Sequence, residues 1–433
     1  MNRNSLILLT TTAVALGGFL LGFDTAVIAG ATTGMSAAFG LGALKLGFTV
    51  SCALWGTVAG VLLASPLGER WGAKVSLQWM GVLYFVSAIG CAVAWNWPWL
   101  LVFRLVGGLG IGGSSVLSPM YIAEIAPQEW RGRLVACFQV AVVIGILSAY
   151  ASNDLVSHLH LLSTEWRYDL GAAVLPALLF TVAVCFIPDS PRWLIVQGRQ
   201  AEAKLVMERM GIQDCGLQEV PDVPSVHSLF KRENRKVIFI AISIGVLNQL
   251  SGINAILYYL NDIFAQAGFS AANARTQAVA IGAANLVFTL LAMLLIDSIG
   301  RRFLLIVGSV GMAGCLLAIS RIFATGGHKG LLLWLLITYI AFFAFSQGTV
   351  VWVYLSEIFP AGIRERGQSL GTLALWVSNG LVAALFPLLA ARDGQYPFLF
   401  FSVMMVVQLL LALWVFPETK GVSLEEASSR AVA

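Results

Sequence analysis

Two charged residues stand alone within long apolar segments of the sequence, Asp24 and Arg104. A charge at membrane depth is costly, so such residues usually serve a function. Counted from the outer ends of their predicted helices, the two lie about 15 Å and about 10 Å deep, at 1.5 Å per residue. They can therefore pair. The carboxylate stays ionised beside the arginine and binds a proton when the arginine moves away. We predict a proton switch, with a static buried ion pair as the alternative.

Amide side chains inside apolar segments form a second group. An amide both donates and accepts hydrogen bonds, as sugar hydroxyls do, and no segment offers the paired cations that an anionic substrate would require. The group predicts recognition of a neutral sugar, with hydrogen bonds between helices as the alternative. Aromatic side chains can stack on the apolar face of a sugar ring. The candidates are Gln139, Asn248, Gln249, Asn254, Asn285, Gln347 and Asn379, with the aromatic residues Tyr258, Trp352 and Trp376.

The composition shows which elements position these residues. Of 433 residues, 58% are apolar and 11% are charged, whereas a soluble domain has about 25% charged residues. The apolar residues form continuous runs of about 20 residues, the length of a membrane helix, without the alternation of a membrane barrel. We predict an all-α membrane protein with twelve transmembrane helices. The predicted spans are 6–33, 43–67, 75–95, 98–122, 134–155, 169–187, 236–260, 277–297, 302–322, 331–357, 367–391 and 396–416.

The spans divide into two groups of six. The predicted domains are a helix bundle at 1–188, a cytoplasmic linker with short helices at 189–235, a second bundle at 236–417 and a cytoplasmic tail at 418–433. The segments on the side of the termini carry 19 of the 26 Lys and Arg residues, and the opposite segments carry six. The excess predicts that both termini are cytoplasmic. The first apolar run is too long for a signal peptide, so we expect it to be retained as the first helix.

The two halves of the sequence repeat one another. YIAEIAPQEWRGR at 121–133 and YLSEIFPAGIRER at 354–366 share six of thirteen residues at an offset of 233. Weaker matches link 68–74 with 296–302 and 188–192 with 417–421, at offsets of 228 and 229. Parallel repeats of this kind are typical of alternating-access transporters. An enzyme has no particular need for such symmetry.

Several motifs follow one another in a recognisable order. They are RLVGGLGIGG at 104–113, PMYIAEIAPQEWRG at 119–132, PDSPRW at 188–193, NQLSGINAILYY at 248–259, SEIFPAGIR at 356–364 and PETKG at 417–421. Together they closely resemble the sugar porter family of the major facilitator superfamily over nearly the whole chain. GFDTAVIAG at 22–30 looks like the first helix of the bacterial proton-coupled, xylose-type symporters. The loop motif after the second span, usually D-R-x-G-R-R, reads ERWGAK here, so that Ala73 replaces an arginine.

The resemblance implies roles for the candidate residues. It implies that Asp24 carries the proton, and that Gln139, Gln249, Asn254 and Asn285 surround the sugar. Charges at the cytoplasmic helix ends are expected to orient the helices, but that does not explain acids held in register with arginines in both halves. The resemblance implies that they form salt bridges between the bundles, a latch that closes the cytoplasmic face. This predicted gate comprises Arg70, Glu124, Arg131, Asp189, Arg192, Asp297, Arg301, Glu357 and Arg364.

The sequence as a whole predicts proton-coupled symport of a neutral monosaccharide by alternating access in a bacterial inner membrane. A facilitative uniporter of the same fold and a non-transporting sugar sensor are the alternatives. An enzyme is not expected, since the sequence contains no catalytic constellation. The six cysteines form no CxxC pair and five lie in apolar runs, so neither a metal nor a cofactor is expected. The partners expected are the sugar, the proton and the lipid bilayer, with no nucleic acid, and the expected state is a monomer.

Overall fold

The computed structural model describes residues 3–127, 130–159, 164–210, 229–295, 300–360 and 363–420. Across these ranges the chain is almost entirely helical. It divides into two compact units, one formed by 1–42 and 49–219 and the other by 43–48 and 220–433. Residues 43–48 begin a helix that otherwise belongs to the first unit.

Within the described residues, the first unit contains four long helices and four short ones. They are α1 (Arg3–Phe39), α2 (Ala43–Ala92), α3 (Trp97–Ile125), α4 (Arg131–Ser157), α5 (Glu165–Gly171), α6 (Val174–Cys185), α7 (Pro191–Val196) and α8 (Gln200–Met210). Close packing depends on glycines. A Cβ at Gly22 of α1 would lie 1.8 Å from the Val142 carbonyl oxygen of α4, and one at Gly108 of α3 would lie 1.9 Å from that of Ala53 in α2. Small residues allow helix backbones to approach closely in membranes.

The second unit has a similar set of helices. They are α9 (Arg235–Leu250), α10 (Ile253–Tyr258), α11 (Leu260–Gln266), α12 (Ala271–Leu295), α13 (Arg301–Thr325), α14 (Leu332–Phe345), α15 (Gln347–Glu357), α16 (Arg364–Arg392) and α17 (Gln395–Trp414).

Eleven helical segments within the described ranges are long and apolar enough to cross a membrane. Eight are single helices, and three are formed by consecutive helices: α5 with α6, α9 with α10, and α14 with α15. One of the single helices, α2, contains two of the predicted spans. Its 50 residues would measure about 75 Å as a straight helix, more than twice the hydrocarbon thickness of a bilayer. The backbone turns at Gly72, where φ is +79° and the Trp193 ring covers the glycine. Because α2 supplies two spans, these eleven segments account for all twelve spans that the sequence predicts.

Three spans predicted as continuous are interrupted in the structure. Residues 169–187 fall on α5 and α6, residues 236–260 on α9 and α10, and residues 331–357 on α14 and α15. The break between α9 and α10 lies at Ser251 and Gly252, with φ of +87° at the glycine. A Cβ at Gly252 would lie 2.3 Å from the Phe401 ring, so the break requires glycine. The Tyr339 hydroxyl donates to the freed Ser251 carbonyl at 2.9 Å.

The outer surfaces of both units are apolar. Leu175 and Phe186 are 66% and 82% exposed in the first unit, and Leu294 and Trp414 are each 78% exposed in the second. Side chains of this size form large exposed apolar surfaces only where lipid or a partner covers them. The apolar surface and the long helices together are those of a membrane protein.

Candidate functional site

The structure brings the two lone charges together. Arg104 on α3 donates from Nη1 to Asp24 Oδ1 on α1 at 2.9 Å. The Arg104 side chain is 5% exposed and that of Asp24 is 18% exposed. The carboxylate therefore keeps limited contact with the surroundings, while the guanidinium is almost fully enclosed.

A small cavity borders this ion pair. Besides Asp24 and Arg104, its walls include Tyr84, Ser87 and Cys91 of α2. Ser87 Oγ donates to the Phe103 carbonyl oxygen at 2.6 Å, which ties α2 to the turn of α3 that carries the arginine. Polar atoms thus line the space next to the carboxylate. The contribution of α2 was not predicted from the sequence. Tyr84 and Ser87 lie within an apolar run, and a single hydroxyl there is a weaker sign of function than an amide or a charge.

The interrupted helix of the second unit joins three of the predicted sugar ligands. Gln249 Nε2 donates to Asn248 Oδ1 at 2.8 Å, and Asn254 Nδ2 donates to Gln249 Oε1 at 2.9 Å. The break at Ser251 and Gly252 allows the last turn of α9 to meet the first turn of α10. Discontinuous helices position polar groups at substrate sites in many transporters. The sequence predicts these amides, but not the break that arranges them.

A second pair of polar residues joins α10 to α16. The Tyr258 hydroxyl and the Asn379 amide are hydrogen-bonded, with Oη 3.1 Å from Nδ2 and 3.3 Å from Oδ1. Trp376 precedes Asn379 by three residues, which places both on one side of α16, and it is 9% exposed. Asn285 on α12 is 7% exposed. These side chains are amides, a phenol and an indole, so this part of the second unit carries no formal charge among them.

Other predicted sugar ligands are placed differently. Gln347 on α15 is 1% exposed and its amide donates to Gln408 Oε1 of α17. Gln408 in turn donates to Ser309 Oγ of α13 at 3.1 Å. Gln347 therefore belongs to a buried network that holds three helices together. Trp352, on the same helix, is 41% exposed, and Gln139 on α4 of the first unit is half-buried.

The charged end of the second unit contains an ion pair and a helix cap. Arg301 Nη2 lies 3.3 Å from Glu357 Oε1. Glu418 accepts hydrogen bonds from the backbone N–H groups of Arg301 at 2.9 Å and Arg302 at 3.0 Å, so its carboxylate caps the N-terminus of α13. Arg364 donates from Nε to the Phe359 carbonyl oxygen at 3.2 Å. Asp297 lies outside the described residues.

The first unit repeats part of this arrangement. The Tyr121 hydroxyl donates to the Pro188 carbonyl oxygen at 2.6 Å, and its counterpart Tyr354 donates to that of Pro417 at 2.8 Å. The acid differs: Glu124 accepts from Ser190 Oγ at 2.5 Å. At the repeat offset of 228, Ala73 stands where the second unit has Arg301.

Four further gate candidates lie on the first unit. Arg192 lies near enough to Glu124 to interact with it electrostatically. Asp189 is half-buried next to Ser190. Arg70, close to the turn of α2 at Gly72, and Arg131, the first residue of α4, are exposed.

Repeated units of long apolar helices, a buried acid–arginine pair and an interrupted helix rich in amides together define a multi-spanning membrane transporter. The chain belongs to the sugar transporter family, since the family model described as "Sugar (and other) transporter" matches residues 10–430. The predicted class, a helical transporter of the sugar porter type rather than an enzyme, is confirmed.

Relatives and solved structures agree with this assignment. The D-xylose-proton symporter of Escherichia coli strain K12 is 34% identical, over 98% of this chain and 95% of its own length. The arabinose-proton symporter of Bacillus subtilis strain 168 is 33% identical, over 97% and 94%. A partially occluded inward open structure of the xylose transporter XylE from E. coli matches with a TM-score of 0.85 at 32% identity, over 97% of this chain and all of that one. The predicted major facilitator fold is therefore confirmed.

Proposed function

We propose that this chain is a proton-coupled symporter of a neutral monosaccharide that works by alternating access. The observation that carries the proposal is the buried pair of Asp24 and Arg104. Two relatives of similar length are named as proton symporters of pentoses, which supports the same chemistry here. The proposed setting is a bacterial inner membrane, with both termini in the cytoplasm and the protein acting as a monomer.

The proton step follows from the pair's geometry. An ionised carboxylate beside a guanidinium is stable at low exposure, but a carboxylate left alone there is not. Separation of Arg104 from Asp24 therefore favours a protonated Asp24, and return of Arg104 favours release of the proton. A conformational change that alters the distance between α1 and α3 is thereby coupled to proton uptake and release by Asp24.

The sugar step rests on the amide network of the second unit. Each amide of Asn248, Gln249 and Asn254 already donates to or accepts from a neighbour, so the network orients the remaining polar atoms before a sugar arrives. Tyr258 and Asn379 offer further donors and acceptors, and Trp376 an aromatic surface. We propose these six residues as sugar ligands. Asn285, Gln139 and Trp352 remain proposed ligands, and we assign Gln347 to packing.

The charged helix ends are proposed to act as a latch on the cytoplasmic side. Within the second unit the pair of Arg301 and Glu357 is only partly exposed, so breaking it costs more than breaking a surface pair. The higher free-energy cost of breaking this pair allows it to stabilise one conformation, and the pair is released in the other conformation. Arg131 and Arg364 are proposed as its partners in closing.

The test is uptake of a panel of labelled neutral sugars into proteoliposomes, with and without an inward proton gradient. Symport predicts that one or more sugars accumulate above the external concentration only when the gradient is present. Equilibration of a sugar without accumulation would instead support a uniporter. Binding of a sugar without flux under either condition would support a sensor.

A further inference from the structure

Tyr84 on α2 is a buried phenol that the proton step described above does not use. The residue is 3% exposed, and its hydroxyl oxygen is a buried atom with no hydrogen-bond partner among the described residues. Leaving a buried polar group without a partner is unfavourable. The side chain lines the cavity that also contains Asp24 and Arg104. A partner that becomes available in another state of the ion pair would account for this placement.

The packing of α2 on α3 directs Tyr84 to the arginine's side of α3. Gly107 follows Arg104 by three residues and so lies on the same side of the helix. A Cβ at Gly107 would lie 2.4 Å from Ser87 Oγ and 3.9 Å from the Tyr84 ring, and one at Gly110 would lie 3.5 Å from Tyr84 Cβ. The glycines therefore let α2 pack closely on this side of α3, where Tyr84 lies beside the turn that follows Arg104.

The arginine also has a donor to spare. Arg104 Nε is a buried atom without a hydrogen-bond partner within the described ranges, while Nη1 is bonded to Asp24. A guanidinium has five N–H donors and a phenol oxygen can accept. An unused donor and an unused acceptor thus border the same cavity.

The other groups around the cavity do not fill this role. Tyr84 interacts electrostatically with Asp24, Arg104 and Cys91, and Arg104 also with Cys52. A thiol is a weak acceptor. Ser87 is already bonded to the backbone of α3. Among the described residues, Asp169 is a further titratable group close to this cavity: it is a fully buried carboxyl on α5 and precedes Leu170 of the cavity wall.

We propose that Tyr84 is a positioning residue of the proton step, whose hydroxyl oxygen accepts a hydrogen bond from Arg104 when Asp24 is protonated. The proton passes from water to the Asp24 carboxylate, and the phenol stays neutral throughout. While Asp24 is ionised, it holds the guanidinium; once it is neutral, the attraction is lost and Tyr84 receives the arginine. The hydroxyl thereby favours the protonated state. This inference rests on the proposed proton coupling.

The first test is a double-mutant cycle on the melting temperature of the purified protein. Asp24→Asn keeps the shape of a neutral Asp24, so it imitates the protonated state. Tyr84→Phe alone should not lower the melting temperature, because its hydroxyl makes no bond in the ionised state, and it should lower the melting temperature by about 2 °C in the Asp24→Asn background. Equal effects in the two backgrounds would overturn the proposal. The cycle needs no transport, so its outcome is separate from that of the proposed function.

The second test is the pH dependence of uphill sugar accumulation by Tyr84→Phe. Loss of a hydrogen bond that favours the protonated state should shift half-maximal uptake to lower pH by about 1 unit, a tenfold change in proton concentration. Tyr259→Phe is the matched control, because that buried hydroxyl donates to the Ala383 carbonyl oxygen of the second unit and should leave the pH profile unchanged. If the native protein accumulates sugar but Tyr84→Phe shows no shift in its pH profile, the role of Tyr84 is refuted. The proposed proton-coupled symport would still stand.

Discussion

Replacement of Asp24 by asparagine separates proton coupling from sugar movement. Asparagine keeps the size of the side chain and one oxygen that can accept from Arg104, but it cannot bind or release a proton. In the native pair, Arg104 Nη1 lies 2.9 Å from Asp24 Oδ1, and the arginine side chain is 5% exposed. Removing one charge of a buried pair costs about 3–5 kcal/mol. The retained oxygen and the 18% exposure of Asp24 should reduce this, so we expect a folded protein that is less stable by about 2 kcal/mol.

The expected transport defect is much larger than the loss of stability. With one proton per sugar, an inward gradient of one pH unit supports an accumulation of about tenfold, since a factor of ten corresponds to 1.4 kcal/mol. In Asp24→Asn the gradient no longer enters the cycle, so the sugar should only equilibrate. Exchange of labelled for unlabelled sugar moves no net protons and should continue.

The assay measures both fluxes in the same proteoliposomes. Asp154→Asn is the matched control, because it makes the same chemical change on a half-exposed residue of α4 in the same unit, and it should accumulate sugar as the native protein does. Tenfold accumulation by Asp24→Asn would refute the role of Asp24 as the essential proton carrier. Equal loss of exchange and accumulation would instead favour a static ion pair.

Three further changes test the second unit. Gln249→Ala removes the residue that links Asn248 to Asn254 and should weaken sugar binding by about 1–3 kcal/mol, or about 5- to 150-fold, in equilibrium titrations; unchanged affinity would remove it from the site. Gly252→Ala forces a side chain into a positive-φ position against Phe401 and should lower the melting temperature by several degrees. The separate control variant Gly314→Ala, at a position with open space beside it, should lower the melting temperature less. Glu357→Gln removes the charge facing Arg301 and should increase thiol labelling at cytoplasmic-side cysteines introduced for the purpose, whereas unchanged labelling would argue against a latch.

The spans could be predicted from the sequence because hydropathy reports burial in lipid directly. The similar depth of Asp24 and Arg104 also made their pairing predictable, since only residues at similar depth can meet. Hydropathy could not show the break after Leu250. The Ser251 carbonyl oxygen at the break accepts a hydrogen bond from the Tyr339 hydroxyl, which lies on a helix distant in sequence. Because this partner is distant in sequence, the hydropathy of the run itself does not reveal the break.

The polar networks were harder to assign from the sequence. Gln347 and Gln249 are the same residue type in similar apolar surroundings, yet the first is bonded to Gln408 in the helix interior and the second lies at a break. Gln408 is also an amide inside an apolar run, as the predicted ligands are, but it was not among them. Only the three-dimensional partners separate the two: Gln347 bonds to a neighbouring helix, and Gln249 links Asn248 to Asn254.

The most direct test of proton-coupled symport is to measure proton movement itself. Sugar is added to weakly buffered proteoliposomes that have no initial pH gradient, and the external pH is recorded while the sugar enters. Symport predicts that the external medium becomes alkaline in proportion to the sugar taken up, and that Asp24→Asn abolishes this change. Sugar entry at the native rate with no change in external pH would contradict the account.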